Sequence, residues 1–224
     1  ILNTPNNPTG KVFSREELQF IADLCLKWGV VAVTDEIYEH ILYDGASHVS
    51  IASLPGMRDQ TITINSISKT YSLTGWRVGW AIASAKLTGS IRKVHDFLTV
   101  GAAHPLQEAA AIALRSAPRY YQTLAEEYRE RRDFLLQALE EVGFRVYRPR
   151  GAYYIMTDVG HLGFQDDFAC AYYLVEKIGV ATVPGSCFYS RPALGRTKVR
   201  FAFPKKMETL KQAAEKLKKF KPKK

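Results

Sequence analysis

Four short runs in this sequence hold residue types that can do chemistry. Lys69 stands in Ser66-Ile67-Ser68-Lys69-Thr70-Tyr71. A lysine amine can form a Schiff base with a carbonyl compound and can carry a proton. Before it come Asn6-Asn7-Pro8-Thr9-Gly10 and Asp35-Glu36-Ile37-Tyr38, and after it Gly75-Trp76-Arg77-Val78-Gly79. A carboxylate at a strand end often sits in a ligand crevice. The planar fork of an arginine grips phosphate or carboxylate through two hydrogen bonds. Arg77 qualifies for such a role, and so does Arg200 in Lys198-Val199-Arg200-Phe201. Taken singly, each run also has an ordinary reading: Asn-Pro-Thr-Gly makes a good turn, Lys69 could be a solvated surface group, and Arg200 a surface arginine on an edge strand.

The elements that must position these residues are legible from pattern. Ser14 with Glu17 forms a capping box, and Phe13 against Leu18 a hydrophobic staple. Leu18, Ile21, Ala22 and Cys25 then recur at helical spacing, and Gly29 ends the helix. Val30 to Val33 reads as a buried strand running into Thr34-Asp35-Glu36. Gln60 to Ile64 and Val78 to Ala83 read as two more. Strands alternating with helices predict an α/β domain with a largely parallel sheet. The middle is helical, over Pro105–Leu114 and then about Pro118–Val142. In the latter, Tyr121, Leu124, Tyr128, Leu135 and Leu139 lie near one face, and Gly143 is the stop. Beyond Gly151 the texture changes to strands at Ala152–Met156, Val180–Val183 and Lys198–Phe203, a helix at Asp166–Lys177, and a last amphipathic helix lined by Met207, Leu210, Ala214 and Leu217. The domain division is expected inside the long helix, with residues 1–135 in a larger α/β domain and 136–224 in a smaller α+β one.

Bulk composition narrows the classes. The chain has 224 residues, 46% hydrophobic and 24% charged, as in an ordinary globular protein. No apolar run reaches the length of about 18 residues that a membrane-spanning helix needs, and no secretory signal is visible. The net charge of +9 is concentrated in residues 205–224, which hold nine Lys and two Glu. Phe220 to Lys224 reads as a frayed basic tail, with no basic stripe or finger spacing to suggest a nucleic-acid partner. Cys25, Cys170 and Cys187 make no disulfide framework, which fits a reducing cytoplasm. The histidines fall at no metal-ligand spacing, so no metal site is expected.

In their order and spacing the runs resemble the class I/II aminotransferases of fold type I, the aspartate/kynurenine aminotransferase-like family. Asn3-Thr4-Pro5-Asn6-Asn7-Pro8-Thr9-Gly10-Lys11 is especially similar to its kynurenine and bacterial aspartate branches, and the resemblance extends to Phe201. It implies a fold type I large domain, present in part, with a smaller C-terminal domain. It also implies pyridoxal 5′-phosphate (PLP), held by Lys69 as a Schiff base. Lys69 then serves as the general acid–base at the substrate Cα. Asp35 matches the partner of the pyridinium nitrogen, and Tyr38 and Asn7 the groups that hydrogen-bond the ring hydroxyl oxygen. Ser66 and Arg77 match the phosphate ligands, with Ser68 a further hydroxyl donor. Arg200, aided by Asn7, matches the clamp on the substrate α-carboxylate.

The implied activity is ping-pong transfer of an amino group from an amino acid to a 2-oxo acid, in amino acid metabolism, by a cytoplasmic homodimer that binds neither nucleic acid nor membrane. Two other readings share the motifs: a PLP-dependent carbon–sulfur β-lyase (or an aminocyclopropane-carboxylate synthase-like enzyme), and a non-catalytic aminotransferase-like sensor domain of a transcription regulator. Family members carry a sizeable segment before the Asn-Pro-Thr-Gly motif. It supplies a phosphate-binding helix N-terminus and the ring that stacks on PLP. This sequence opens at Ile1 without an initiator Met, so neither can be placed in it.

Overall fold

The computed structural model describes residues 1–221. Among the described residues, 1–6 and 11–124 form one compact unit, and 7–10 and 125–221 a second.

The first unit contains β1 (Leu2–Asn3), α1 (Arg15–Trp28), β2 (Ala32–Asp35), β3 (Thr61–Ser66), β4 (Gly79–Ile82), α2 (Ala85–Leu98) and α3 (His104–Ala113). Its sheet has the order β1-β2-β3-β4. β1, β2 and β3 run parallel, while β4 runs antiparallel to β3 with Gly79 opposite Ser66. That topology sets up a site. β2 ends at Asp35 and β3 at Ser66, so both deliver their last residues to one edge of the sheet. β4 begins at that same edge, and Arg77 lies two residues before it.

Helix α1 forms as its sequence predicts. The Ser14 hydroxyl accepts from the Glu17 amide at 3.2 Å, and the Glu17 carboxylate accepts from the Ser14 amide at 2.8 Å. Gly29 adopts φ 61° at the other end. Leu18, Ala22 and Cys25 pack with Ala32, Ile51, Leu54 and Met57 in the core beneath the sheet. Burying each large apolar side chain of this kind stabilises the fold by roughly 1.5–3 kcal/mol. The strand expected from Val30 starts only at Ala32. The Val30 amide is already used, donating at 2.9 Å to the Cys25 carbonyl in the closing bond of the helix cap. Helix α2 is a further element beyond those the pattern predicts.

Helix α4 (Pro118–Glu141) begins in the first unit and from Ala125 onward belongs to the second. The second unit continues with β5 (Arg145–Tyr147), β6 (Tyr154–Asp158), α5 (Asp167–Tyr173), β7 (Val183–Pro184), β8 (Lys198–Ala202) and α6 (Met207–Leu217). Its sheet is antiparallel throughout, in the order β5-β6-β8-β7. Arg200 therefore sits inside the sheet, paired with Met156 on β6 and Val183 on β7.

Several details depart from expectation. The helix expected through Lys177 ends its α portion at Tyr173 and closes with one wider π turn over Leu174–Ile178. The strand expected at Val180–Val183 shortens to Val183–Pro184. Arg132, on the buried side of α4, is only 1% exposed. Phe220 is no part of a frayed tail. It is buried against Phe144, Phe164 and Tyr173, with ring centroids 4.9–6.0 Å away. Residues 222–224, the last three of that basic tail, lie outside the described residues. Among the described residues, no helix is long and apolar enough to cross a membrane.

Candidate functional site

A cavity of about 690 Å³ in the first unit is lined by Asp35, Ser66, Ser68, Lys69, Thr74 and Arg77, among others. Asp35 is half-buried, and one of its carboxylate oxygens accepts from the Ile37 amide at 3.1 Å. This local turn aims the carboxylate off the end of β2. The Ser66 hydroxyl oxygen accepts from the Ser68 amide at 3.1 Å, which leaves its own hydrogen available to a ligand. The Thr74 hydroxyl donates to the Ser68 carbonyl at 2.7 Å and so closes the loop that carries Lys69. Arg77 lies at φ 56° and donates through Nη1 to the Thr74 carbonyl at 2.9 Å. Ser72 also has φ 56°. Two left-handed non-glycine residues so close together store backbone strain, a feature that clusters at ligand sites.

A buried network lies behind Asp35. Glu36 is 2% exposed, and its carboxylate accepts from the hydroxyls of Thr34 at 3.2 Å and Ser50 at 2.9 Å. His48 Nε2 lies 2.8 Å from the other carboxylate oxygen. Glu36, Glu39 and His48 present ligand atoms within 4.8 Å of one another. Their ligand atoms are already engaged, the Glu36 carboxylate by Thr34, Ser50 and His48 and Glu39 Oε1 by the Asn65 side-chain amide. Tyr38 is 3% exposed and does not line the cavity.

The second unit holds the other two residues singled out by sequence. Arg200 donates through Nη1 to Asn7 Oδ1 at 2.7 Å. Its guanidinium carbon lies 4.2 Å from the Tyr154 ring centroid and 4.7 Å from that of Phe188. A guanidinium flanked by two aromatic rings keeps its charge and its planar donor edge while its swing is restricted. The strap that carries Asn7 is held at its other end, where the Gly10 carbonyl accepts from the amides of Arg150 and Gly151, both at 3.0 Å. Buried Arg132 in turn donates to the Pro149 carbonyl at 3.1 Å.

Five of the sequence-derived residues, Asp35, Ser66, Ser68, Lys69 and Arg77, thus share one cavity, and Asn7 and Arg200 share a hydrogen bond. A carboxylate, an amine, two hydroxyls and a guanidinium suit a ligand with a cationic ring, a reactive carbonyl and a phosphate. Arg92 and His95 on α2 also line the cavity and were given no role from sequence. The signal that could have found them is the spacing of Leu87, Ile91, Val94 and Leu98, an amphipathic helical stripe.

Comparison with known proteins shows the family. The family model described as aminotransferase class I and II matches residues 1–217. The kynurenine–oxoglutarate transaminase of Dictyostelium discoideum is 40% identical over 243 aligned positions, covering 99% of this chain and 56% of that protein. Human kynurenine–oxoglutarate transaminase 1 is 37% identical, with 99% and 57% covered. The solved structure of N-succinyldiaminopimelate aminotransferase from Mycobacterium tuberculosis superposes with a TM-score of 0.93 at 38% identity, over 96% of this chain and 56% of that one. The chain spans just over half the length of these relatives.

Proposed function

The chain belongs to the class I and II aminotransferase family, and from that premise we propose that the protein is a PLP-dependent aminotransferase, moving an amino group from an amino acid to a 2-oxo acid by a ping-pong mechanism. Residues 1–135 belong on this reading to the large cofactor-binding domain and 136–224 to the small one. The observation that carries the proposal is the meeting of Asp35, Ser66, Ser68, Lys69 and Arg77 around one cavity.

The donor set fits the cofactor. PLP, when bound, supplies a protonated ring that draws off electron density from the substrate Cα. The Asp35 carboxylate would hold the proton on the ring nitrogen. The Lys69 amine would anchor the cofactor as a Schiff base and, once displaced by substrate, carry a proton to and from Cα. The hydroxyls of Ser66 and Ser68 and the guanidinium of Arg77 would hold the phosphate. Tyr38 and Asn7 would hydrogen-bond the ring oxygen. Arg200, steadied by Asn7, Tyr154 and Phe188, would bind the substrate α-carboxylate and so orient the Cα–H bond. A cytoplasmic homodimer completes the reading.

Steady-state kinetics with paired donors and acceptors test it. Parallel double-reciprocal lines and stoichiometric exchange of amino acid for 2-oxo acid are expected. Pyruvate and ammonia released from a cysteine conjugate without any acceptor would instead indicate a carbon–sulfur lyase. Retention of PLP with no turnover of any donor would indicate a sensor domain.

A further inference from the structure

We propose that Tyr120, in the first turn of α4, is a positioning residue for Lys69. The proposal rests on the reading of Lys69 as the cofactor lysine. Lys69 lies in a tight turn after β3 whose internal amide bonds are long: Tyr71 to Ile67 and Ser72 to Lys69, both 3.3 Å. The turn ends in the strained Ser72. Such a segment needs an external hold, and α4 supplies it. The Tyr120 hydroxyl donates at 2.7 Å to the carbonyl of Thr70, the residue next to Lys69 and itself 2% exposed. The Tyr71 ring stacks on Tyr120 with centroids 5.5 Å apart and planes 11° from parallel.

The neighbouring Tyr121 extends the hold. Its hydroxyl is 2.7 Å from that of Tyr71, and its ring centroid lies 4.2 Å from that of His40, two residues past Tyr38. Burial and the Tyr121 hydroxyl push the Tyr71 phenol well above its ordinary range, so Tyr71 stays un-ionised. The first turn of α4 therefore grips the segment just after Lys69 and the segment just after Tyr38. A buried carbonyl deprived of its donor gives up about one net hydrogen bond, roughly a two- to tenfold change in a local equilibrium.

Tyr120→Phe tests this, since it removes the hydroxyl and keeps the stacking ring. In cofactor-free protein, hydrogen exchange at the Tyr71 and Ser72 amides should quicken about two- to tenfold, with α6 amides unchanged. In PLP-treated protein, borohydride trapping followed by peptide mass spectrometry should show modification of Lys69 slowed by a similar factor. A lowered melting temperature with unchanged exchange at Tyr71 and Ser72 and an unchanged trapping rate at Lys69 would show a purely structural role and overturn the proposal. Wild-type protein trapped at a different lysine would overturn the reading of Lys69 and the proposal with it.

Discussion

Gly10→Ala is the substitution for which the structure makes the sharpest demand. Gly10 has φ +69°, and a Cβ built on it would overlap Pro149 Cβ and lie 2.9 Å from the Gly151 carbonyl oxygen. An L-residue in the left-handed region costs about 1–2 kcal/mol. Forcing a methyl group into closed packing costs about 1–3 kcal/mol more. The variant should thus lose about 2–5 kcal/mol in all. Pro149 cannot retreat cheaply, because its carbonyl accepts from buried Arg132 and the next two amides are bonded to Gly10 itself. Gly45 is the matched control, with φ +71° and nothing within 4 Å of its added Cβ. Gly45→Ala should show the backbone cost alone, about 1–2 kcal/mol. Urea denaturation of both variants, followed by near-ultraviolet circular dichroism, separates the two contributions. Equal midpoints for the two variants would refute the packing argument and with it the account of how Asn7 is held beside Arg200.

Three further outcomes are expected. Arg200→Ala should raise KM for the amino acid donor on the order of tenfold to a hundredfold, the loss of a charge-assisted carboxylate pair; unchanged KM in steady-state assays would show that the clamp is elsewhere. Ser14→Ala should lower stability by about 1 kcal/mol through loss of the α1 cap. The Ser14 hydroxyl, donating to the Glu16 carboxyl, holds that group below its usual range, so its share of stability is present above the unfolded carboxyl value and fades as pH falls through the folded one. Thermal melts of wild type and variant should accordingly converge in acid. Cys187 is exposed, whereas Cys25 and Cys170 are buried, and burial pushes the Cys170 thiol up to about 12. Thiol titration of native protein should therefore show one fast equivalent per chain, and peptide mapping should place it at Cys187.

What sequence could reveal here follows the range of the interactions. The ends of α1 were legible because Ser14, Glu17 and Gly29 act on their own neighbours. Asp35, Lys69 and Arg77 were legible as a set because the order of their motifs resembles a known family, and the sheet then brings them to one edge. Arg132 and Phe220 were not legible. A charged residue at a core position and an aromatic one in a lysine-rich tail contradict local pattern, and each is accounted for by long-range partners, Pro149 and the Phe144–Phe164–Tyr173 rings. The assignment of residues 7–10 to the second unit was equally hidden, because it depends on Arg150 and Gly151, some 140 residues later in the chain. Val30 shows the reverse failure, where an apolar run looked like a strand while its first amide was committed to a helix cap.

The most direct test of the central assignment is the absorbance of PLP-loaded protein with Lys69 intact and with Lys69→Ala. The account predicts a Schiff-base band in the wild type that disappears on borohydride reduction and never forms in the variant. The same band at the same strength in Lys69→Ala would contradict it, because another amine would then be holding the cofactor.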